Sequence, residues 1–468
     1  MPGKKRKKQR PAPLLLRRLR KHFGDDPGNL PVVEQQFGLH DRPNLHLAIE
    51  EILDGAKRPA SLVGVLAHSE HETPSLARLS RQASARHFEA GPVQYFDVPL
   101  PEGRHLSCVK NGLYFVHQGK KRLAMLVTAS RYAHPPCLQV EVMANSREDA
   151  EEFVRELRRL TQLGKAYRGH VLSLDKDCYG SVHITHHALP AIRREDVILP
   201  EALLRRIERH TLTFSKHAHR LREAGRHLKR GVLFHGPPGT GKTLTAMYLA
   251  TQMAGRTVLL ITGRGAGSIE AACALARLLE PATVILEDVD LIGTERDHQE
   301  IGANALLFEL LNEMDGLAND VDVLFILTTN RPDVLEPALA SRPGRVDQAI
   351  EIPPPDAECR RRLFELYGRG MTVEVADWER LIDRTAGASG AFIRELLRKA
   401  AVFAAEEDGA APVVVQDRHI DEGLTELLVA GGPFTKSLLG TRRQGEKVSG
   451  EGERVSGPDS GERLNKGS

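Results

Sequence analysis

The sequence of 468 residues has only five cysteines, Cys108, Cys137, Cys178, Cys273 and Cys359, and no CxxC pair. A scattered, odd-numbered set argues against a disulfide framework and predicts a reducing, cytoplasmic setting. No apolar run approaches the roughly 20 residues that cross a bilayer, so no transmembrane segment is expected. The apolar stretch nearest the N-terminus, Leu14-Leu15-Leu16, is too short for a secretory signal. Net charge is also nearly absent, at +3, but its distribution is uneven. Residues 1–24 hold ten Lys/Arg and no acid, leaving 55 basic against 62 acidic residues over 25–468, a balance of −7. A basic arm on an acidic body suits nucleic acid or an anionic membrane as partner, or a solubilising tail. Hydrophobic residues at 41% and charged residues at 27% exclude a wholly disordered chain.

The length suggests about three domains. Residues 1–43 read as a basic arm and linker, disordered apart from a short amphipathic helix over 14–23. Residues 44–190 read as an α+β domain. A helix capped by Asn44 is expected first, then short strands with an Asn111-Gly112 hairpin between 105–110 and 113–117. A helix opened by Ser146 and stopped by Gly164 follows, then two strands near 170–174 and 182–186. Over 191–355, strand and helix signals alternate, which predicts a parallel sheet flanked by helices. Residues 356–431 read as a small helical domain, and the Gly/Ser-rich, charged residues 432–468 as a disordered tail. His183, His186 and His187 form a weak cluster; strand alternation sets His183 and His187 on one face and His186 on the other.

The densest chemical signal is Gly236-Pro237-Pro238-Gly239-Thr240-Gly241-Lys242-Thr243, between the strand GVLFH and the helix TLTAMYLATQMAG. Glycines let the backbone curl so that consecutive N–H groups and the helix N-terminus face phosphate oxygens. Lys242 reaches the terminal phosphates and Thr243 offers its hydroxyl to Mg²⁺. About 40 residues on, the apolar strand Val284-Ile285-Leu286 ends in Glu287-Asp288-Val289-Asp290. Acids there can order a metal ion and activate water.

These residues resemble the AAA family of ATPases. GPPGTGKT has that family's form. LNEMDGL at 311–317, ILTTN at 326–330, PALASRPGR at 337–345 and GASGAFIRELLRKAA at 387–401 resemble its later motifs in order, over roughly residues 196–430. The resemblance implies a P-loop NTPase α/β fold with a C-terminal helical lid, behind the N-terminal α+β domain. It implies ATP and Mg²⁺ as ligands and ATP hydrolysis as the reaction. It also implies a homo-oligomeric ring, hexameric in form, acting on a macromolecular client, in first place a protein. Carried over residue by residue, Glu287 supports Mg²⁺, Asp288 is the base, Asn330 senses the γ-phosphate, and Arg342 and Arg345 are fingers acting on the neighbouring subunit's nucleotide. An ATP-dependent switch with slow hydrolysis, and a nucleic-acid motor, stand as alternatives.

Three departures stand out. The acids run Glu-Asp where the common order is Asp-Glu, so the base is one methylene shorter. The segment Thr262–Ser268 has no aromatic, which puts threading by an aromatic paddle in doubt; Arg264 is the one long side chain there. Ala391 stands where some relatives carry a nucleotide-sensing arginine, with Arg394 one turn later.

Overall fold

A computed structural model describes residues 11–55, 60–69, 72–130, 136–177, 182–261, 269–290, 309–316, 321–333, 335, 346–407 and 412–430. The chain divides into two units, one ending at Pro354 and the other beginning at Pro355.

The first unit opens with a seven-stranded antiparallel sheet. Its strands are β1 (Val32–Gly38), β2 (Ala60–Ala67), β3 (Phe88–Gly91), β4 (Gln94–Pro99), β5 (His105–Gln118), β6 (Lys121–Ser130) and β7 (Cys137–Ala144). The order is β1-β7-β6-β5-β2-β3, with β4 on β5. Alternation along the strands builds two apolar faces. Tyr114, Val116, Leu123, Met125 and Val127 face the helices Arg42–Gly55 and Arg147–Thr161, while Leu113, Phe115, Ala124 and Leu126 face the helix Leu14–Phe23.

Several expectations for this region change. Residues 24–43 are not simply linker, because β1 lies within them and pairs with β7 along its whole length. The helix over 14–23 forms, but Leu15, Leu16 and Leu19 are fully buried, so it belongs to the core. Asn111-Gly112 makes no hairpin. β5 runs straight through it, and a bulge between Gln94 and Tyr95 of the partner marks where β5 changes neighbours, from β4 to β2 and β6. A Cβ on Gly112 would meet Leu62 Cδ1 at 2.9 Å, so glycine here permits close strand packing. Asn44 lies inside the first turn of its helix and, buried, accepts from the Ala166 amide at 2.8 Å. Ser146 caps as expected, accepting from Asp149 N at 3.2 Å.

The second sheet has the order β14-β10-β13-β12-β11-β8-β9. Its strands are β8 (Val171–Lys176), β9 (Val182–His187), β10 (Arg230–His235), β11 (Thr257–Ile261), β12 (Ala282–Leu286), β13 (Val323–Thr329) and β14 (Gln348–Glu351). All neighbours are parallel except the edge pair β8–β9. Central strands buried on both faces, such as ATVIL and VLFILTT, have the continuous apolar character this arrangement requires. β8 and β9 fall inside the stretch 44–190, yet hydrogen bonding carries them into this sheet, where Leu172 and Leu174 join its core. On β9, His183 contacts Asp177 at 3.0 Å, His187 contacts Ser173 at 2.7 Å, and His186 turns the other way to the Ala166 carbonyl. No group of three or more His, Cys, Asp or Glu suited to a metal ion occurs among the described residues.

In the second unit, the helices Ala357–Tyr367, Trp378–Arg384, Gly390–Glu407 and Asp417–Thr425 bury Phe364, Phe392 and Leu396. Asp356 and Asp377 cap the first two, accepting from Cys359 N and Arg380 N. The unit is not wholly helical: β15 (Thr372–Glu374) and β16 (Val414–Gln416) form a small parallel pair. Arg394 is exposed on its helix. No helix among the described residues is long and apolar enough to cross a membrane.

Candidate active site

Parallel strands β10, β12 and β13 end at the same edge of the second sheet. His235 is level with Thr329, and Leu286 with Leu327. The residues just beyond those ends therefore meet in one crevice, where open α/β sheets hold their ligands.

The loop after β10 supplies the first wall. Gly236 has φ 141°, and a Cβ there would lie 2.3 Å from the Ile352 carbonyl oxygen. Gly241, at φ 101°, caps the helix Lys242–Gln252 in the left-handed region. Pro238 and Gly239 are exposed at the loop's crest, while Thr240 is buried, its hydroxyl donating to the Pro237 carbonyl at 3.0 Å. Lys242 is 5% exposed and donates to the carbonyls of Gly236 at 2.9 Å and Pro237 at 2.7 Å. Among the described residues it has no carboxylate at ion-pair distance, and burial holds its ammonium below the ordinary lysine range against the opposing pull of Asp288 and Asp290.

The end of β12 supplies the acids. Burial pushes the Glu287 carboxyl up, as does the charge of Asp288, while a hydrogen bond with Thr243 opposes the shift. Glu287 Oε1 is buried with no partner among the described residues. Asp288 has φ 47°, an unusual conformation for a residue with a side chain. Its amide donates to Thr328 Oγ1 at 3.0 Å, and its Oδ1 accepts from Asn330 Nδ2 at 3.1 Å. Burial and then Asp290 raise its carboxyl. Asp290, 6% exposed, accepts from the Thr329 hydroxyl at 2.8 Å and the Asn330 amide at 3.2 Å, both on Oδ1.

The structure thus brings together Lys242, Thr243, Glu287, Asp288 and Asn330. Arg342, Arg345 and the Arg264 segment lie outside the described residues. Sequence reading left Asp290, Thr328 and Thr329 without a positioning part. The hint was the hydroxyl pair in LTTN, whose partners only the β12–β13 register reveals.

The donor set fits a phosphate and a hard cation. A buried ammonium rests on loop carbonyls, an exposed threonine hydroxyl adjoins a carboxylate, and that carboxylate keeps one oxygen unsatisfied among the described residues. Mg²⁺ takes such oxygen ligands.

Residues 232–354 match the family described as ATPase family associated with various cellular activities (AAA). The ATP-dependent zinc metalloprotease FtsH of Mesoplasma florum is 35% identical over 239 residues, 48% of this chain and 36% of that protein. FtsH 3 of Symbiobacterium thermophilum is 36% identical over 239 residues, 48% of this chain and 37% of that protein. The proteasome-activating nucleotidase of Pyrococcus horikoshii is 36% identical over 204 residues, 41% of this chain and 51% of that protein. The chain thus spans about half or less of the length of these relatives. Loop, acids and the end of β13 all fall within the matched segment, so it is the stretch 232–354 that is similar to the AAA ATPase domain.

Proposed function

We propose that the chain hydrolyses ATP in this crevice and uses the turnover, as a homo-oligomeric ring, to remodel a macromolecular client, a protein. One observation carries the reading: Lys242, Glu287, Asp288 and Asn330, from three adjacent strand ends, converge on one crevice. Residues 236–241 cradle the phosphates with backbone N–H groups. Lys242 leaves the loop carbonyls to meet phosphate oxygen. Thr243 and Glu287 hold Mg²⁺, which when bound offsets charge on the phosphates. Asp288 orients the attacking water and accepts its proton; burial, by raising its carboxyl, strengthens it as a base. Asn330 holds Asp288 and senses the γ-phosphate. Arg342 and Arg345 complete a neighbouring copy's site, six copies closing the ring. The N-terminal sheet module selects the client, and the reaction is cytoplasmic. The FtsH proteins and the nucleotidase, named for ATP-dependent proteolysis and proteasome activation, favour a protein client.

A second reading, a slow ATP-dependent switch, is favoured by Asp288 itself, which is short and held by Asn330. Steady-state ATPase measurement against a Lys242→Ala control separates them. A motor predicts turnover that rises with protein concentration as the ring assembles; a switch predicts tight nucleotide binding with turnover near the control.

A further inference from the structure

The helix Leu14–Phe23, LLLRRLRKHF, carries no acid. Apart from Leu14, which is 44% exposed among the cations, its apolar residues are already used: Leu15, Leu19 and Phe23 pack with Val65, Leu113 and Phe115 of the first sheet. At about 100° per residue, the buried side chains fill an arc of roughly 120°. Arg20, Arg17, Lys21 and Arg18 follow in that order around about 160° of the remainder, and all four are exposed. Arg20 lies 3.7 Å from Asp26, in a pair open to solvent on both sides. The helix is fixed at its C-terminal end, where Arg122 donates to the His22 carbonyl at 2.7 Å and the His22 ring meets the Leu123 carbonyl at 3.0 Å. Six further cations, Lys4 to Arg10, precede it in sequence.

We propose that this ridge docks onto the phosphate backbone of duplex DNA. An interfacial membrane helix needs a broad apolar face free to enter the lipid, and here that face is inside the protein, with Leu14 alone left outside. What remains is electrostatic, and its shape selects the partner. Cations spread around a cylinder cannot all meet a flat bilayer, whereas a groove about 12 Å wide, walled by phosphates on both sides, admits a helix about 10–12 Å across. Three of the four cations are arginines, whose planar fork meets phosphate oxygens in pairs. Contacts of this kind hold the backbone without reading sequence and weaken steeply with salt.

The test is fluorescence anisotropy of the full chain on a labelled duplex across a salt series, with single-stranded RNA and phosphatidylserine vesicles in parallel. Each phosphate neutralised contributes about 0.9 to the slope of log affinity against log salt. The triple variant Arg17→Glu/Arg18→Glu/Lys21→Glu is expected to lower that slope by about 3, with an unchanged circular-dichroism melt. The single variants Arg17→Ala and Lys21→Ala, which disturb folding less, are each expected to lower it by about 0.9. Arg17→Lys/Arg18→Lys retains binding, and deleting residues 2–10 weakens it without abolishing it. The proposal is overturned by duplex affinity unchanged in the triple variant, by loss of all binding on deleting 2–10 alone, or by binding confined to RNA or to vesicles.

Discussion

Asn330 Nδ2 donates to Asp288 Oδ1 at 3.1 Å, joining the end of β13 to the end of β12. Asp288 needs that hold. Its backbone sits at φ 47°, and its own amide leans on Thr328. If the pair acts as one device, Asn330→Ala and Asp288→Asn each lower kcat by about 10²-fold or more, the scale of a lost positioned base. The double variant should lose little more than the worse single one, since coupled groups are not additive. Full additivity in a double-mutant cycle would show that they act separately.

Asp290 supports the same device from beneath, through Thr329 and the Asn330 amide. Asp290→Asn is expected to lower kcat with nucleotide affinity little changed, because Asp290 bonds to Thr329 and Asn330 rather than to the loop 236–243. Parallel measurement of kcat and ATP Kd checks this. A large rise in Kd with kcat intact would remove Asp290 from the positioning part.

Gly236→Ala tests the phosphate loop by shape. Its Cβ would meet the Ile352 carbonyl oxygen at 2.3 Å, against backbone that cannot step aside cheaply. Strain on the order of 1–3 kcal/mol is expected, with a lower Tm and weakened ATP binding. Calorimetry with and without nucleotide reads both.

Much of this site was legible in the sequence, and the reasons are local. A phosphate loop needs its glycines and lysine at fixed spacing, so GPPGTGKT declares itself; Glu287-Asp288 and Asn330 declare themselves as polar ends of apolar strands. The alternation of strands and helices from 231 to 352 was equally readable, because each parallel strand is a short apolar run. What stayed hidden depends on distant pairing. β1 looked like linker because its only apolar core residue is Phe37 and its partner, β7, lies about a hundred residues away. Asn111-Gly112 mimicked a turn because strands usually avoid glycine, and the crowding by Val109 and by Leu62 across the ladder explains it. β8 and β9 looked like part of the preceding domain because sequence distance does not reveal that β8 pairs with β11.

Glu141 gives a pH prediction. It lies opposite Glu34 on the neighbouring strand, accepts from the Leu76 amide at 2.5 Å and from Gln139 Nε2 at 3.0 Å, and burial pushes its carboxyl up to about 7. A folded pKa above the unfolded one means stability that is full below the ordinary carboxyl range, near 4.5, and lost as pH rises through about 7. The loss is on the order of 3 kcal/mol. Denaturant melts of wild type and Glu141→Gln between pH 5 and 8.5 should diverge, the variant staying flatter. Parallel curves would mean that Glu141 stays ionised throughout.

The N-terminal helix is predicted to be structural as well as charged. Leu19 is fully buried, so Leu19→Ala should cost about 2–5 kcal/mol in the first sheet's unfolding. Removing residues 1–24 should cost more, whereas removing 2–10 should cost little. A truncation at 24 with an unaltered melt would contradict the packing.

The central claim is that Asp288, rather than Asp290, acts on the attacking water of a true ATPase. The most direct measurement is single-turnover hydrolysis of bound ATP by Asp288→Asn, with nucleotide Kd measured on the same preparation. The account predicts a Kd near that of the wild-type protein and a hydrolysis rate at least about 10²-fold lower. Hydrolysis at the wild-type rate with Asp288 replaced would contradict it.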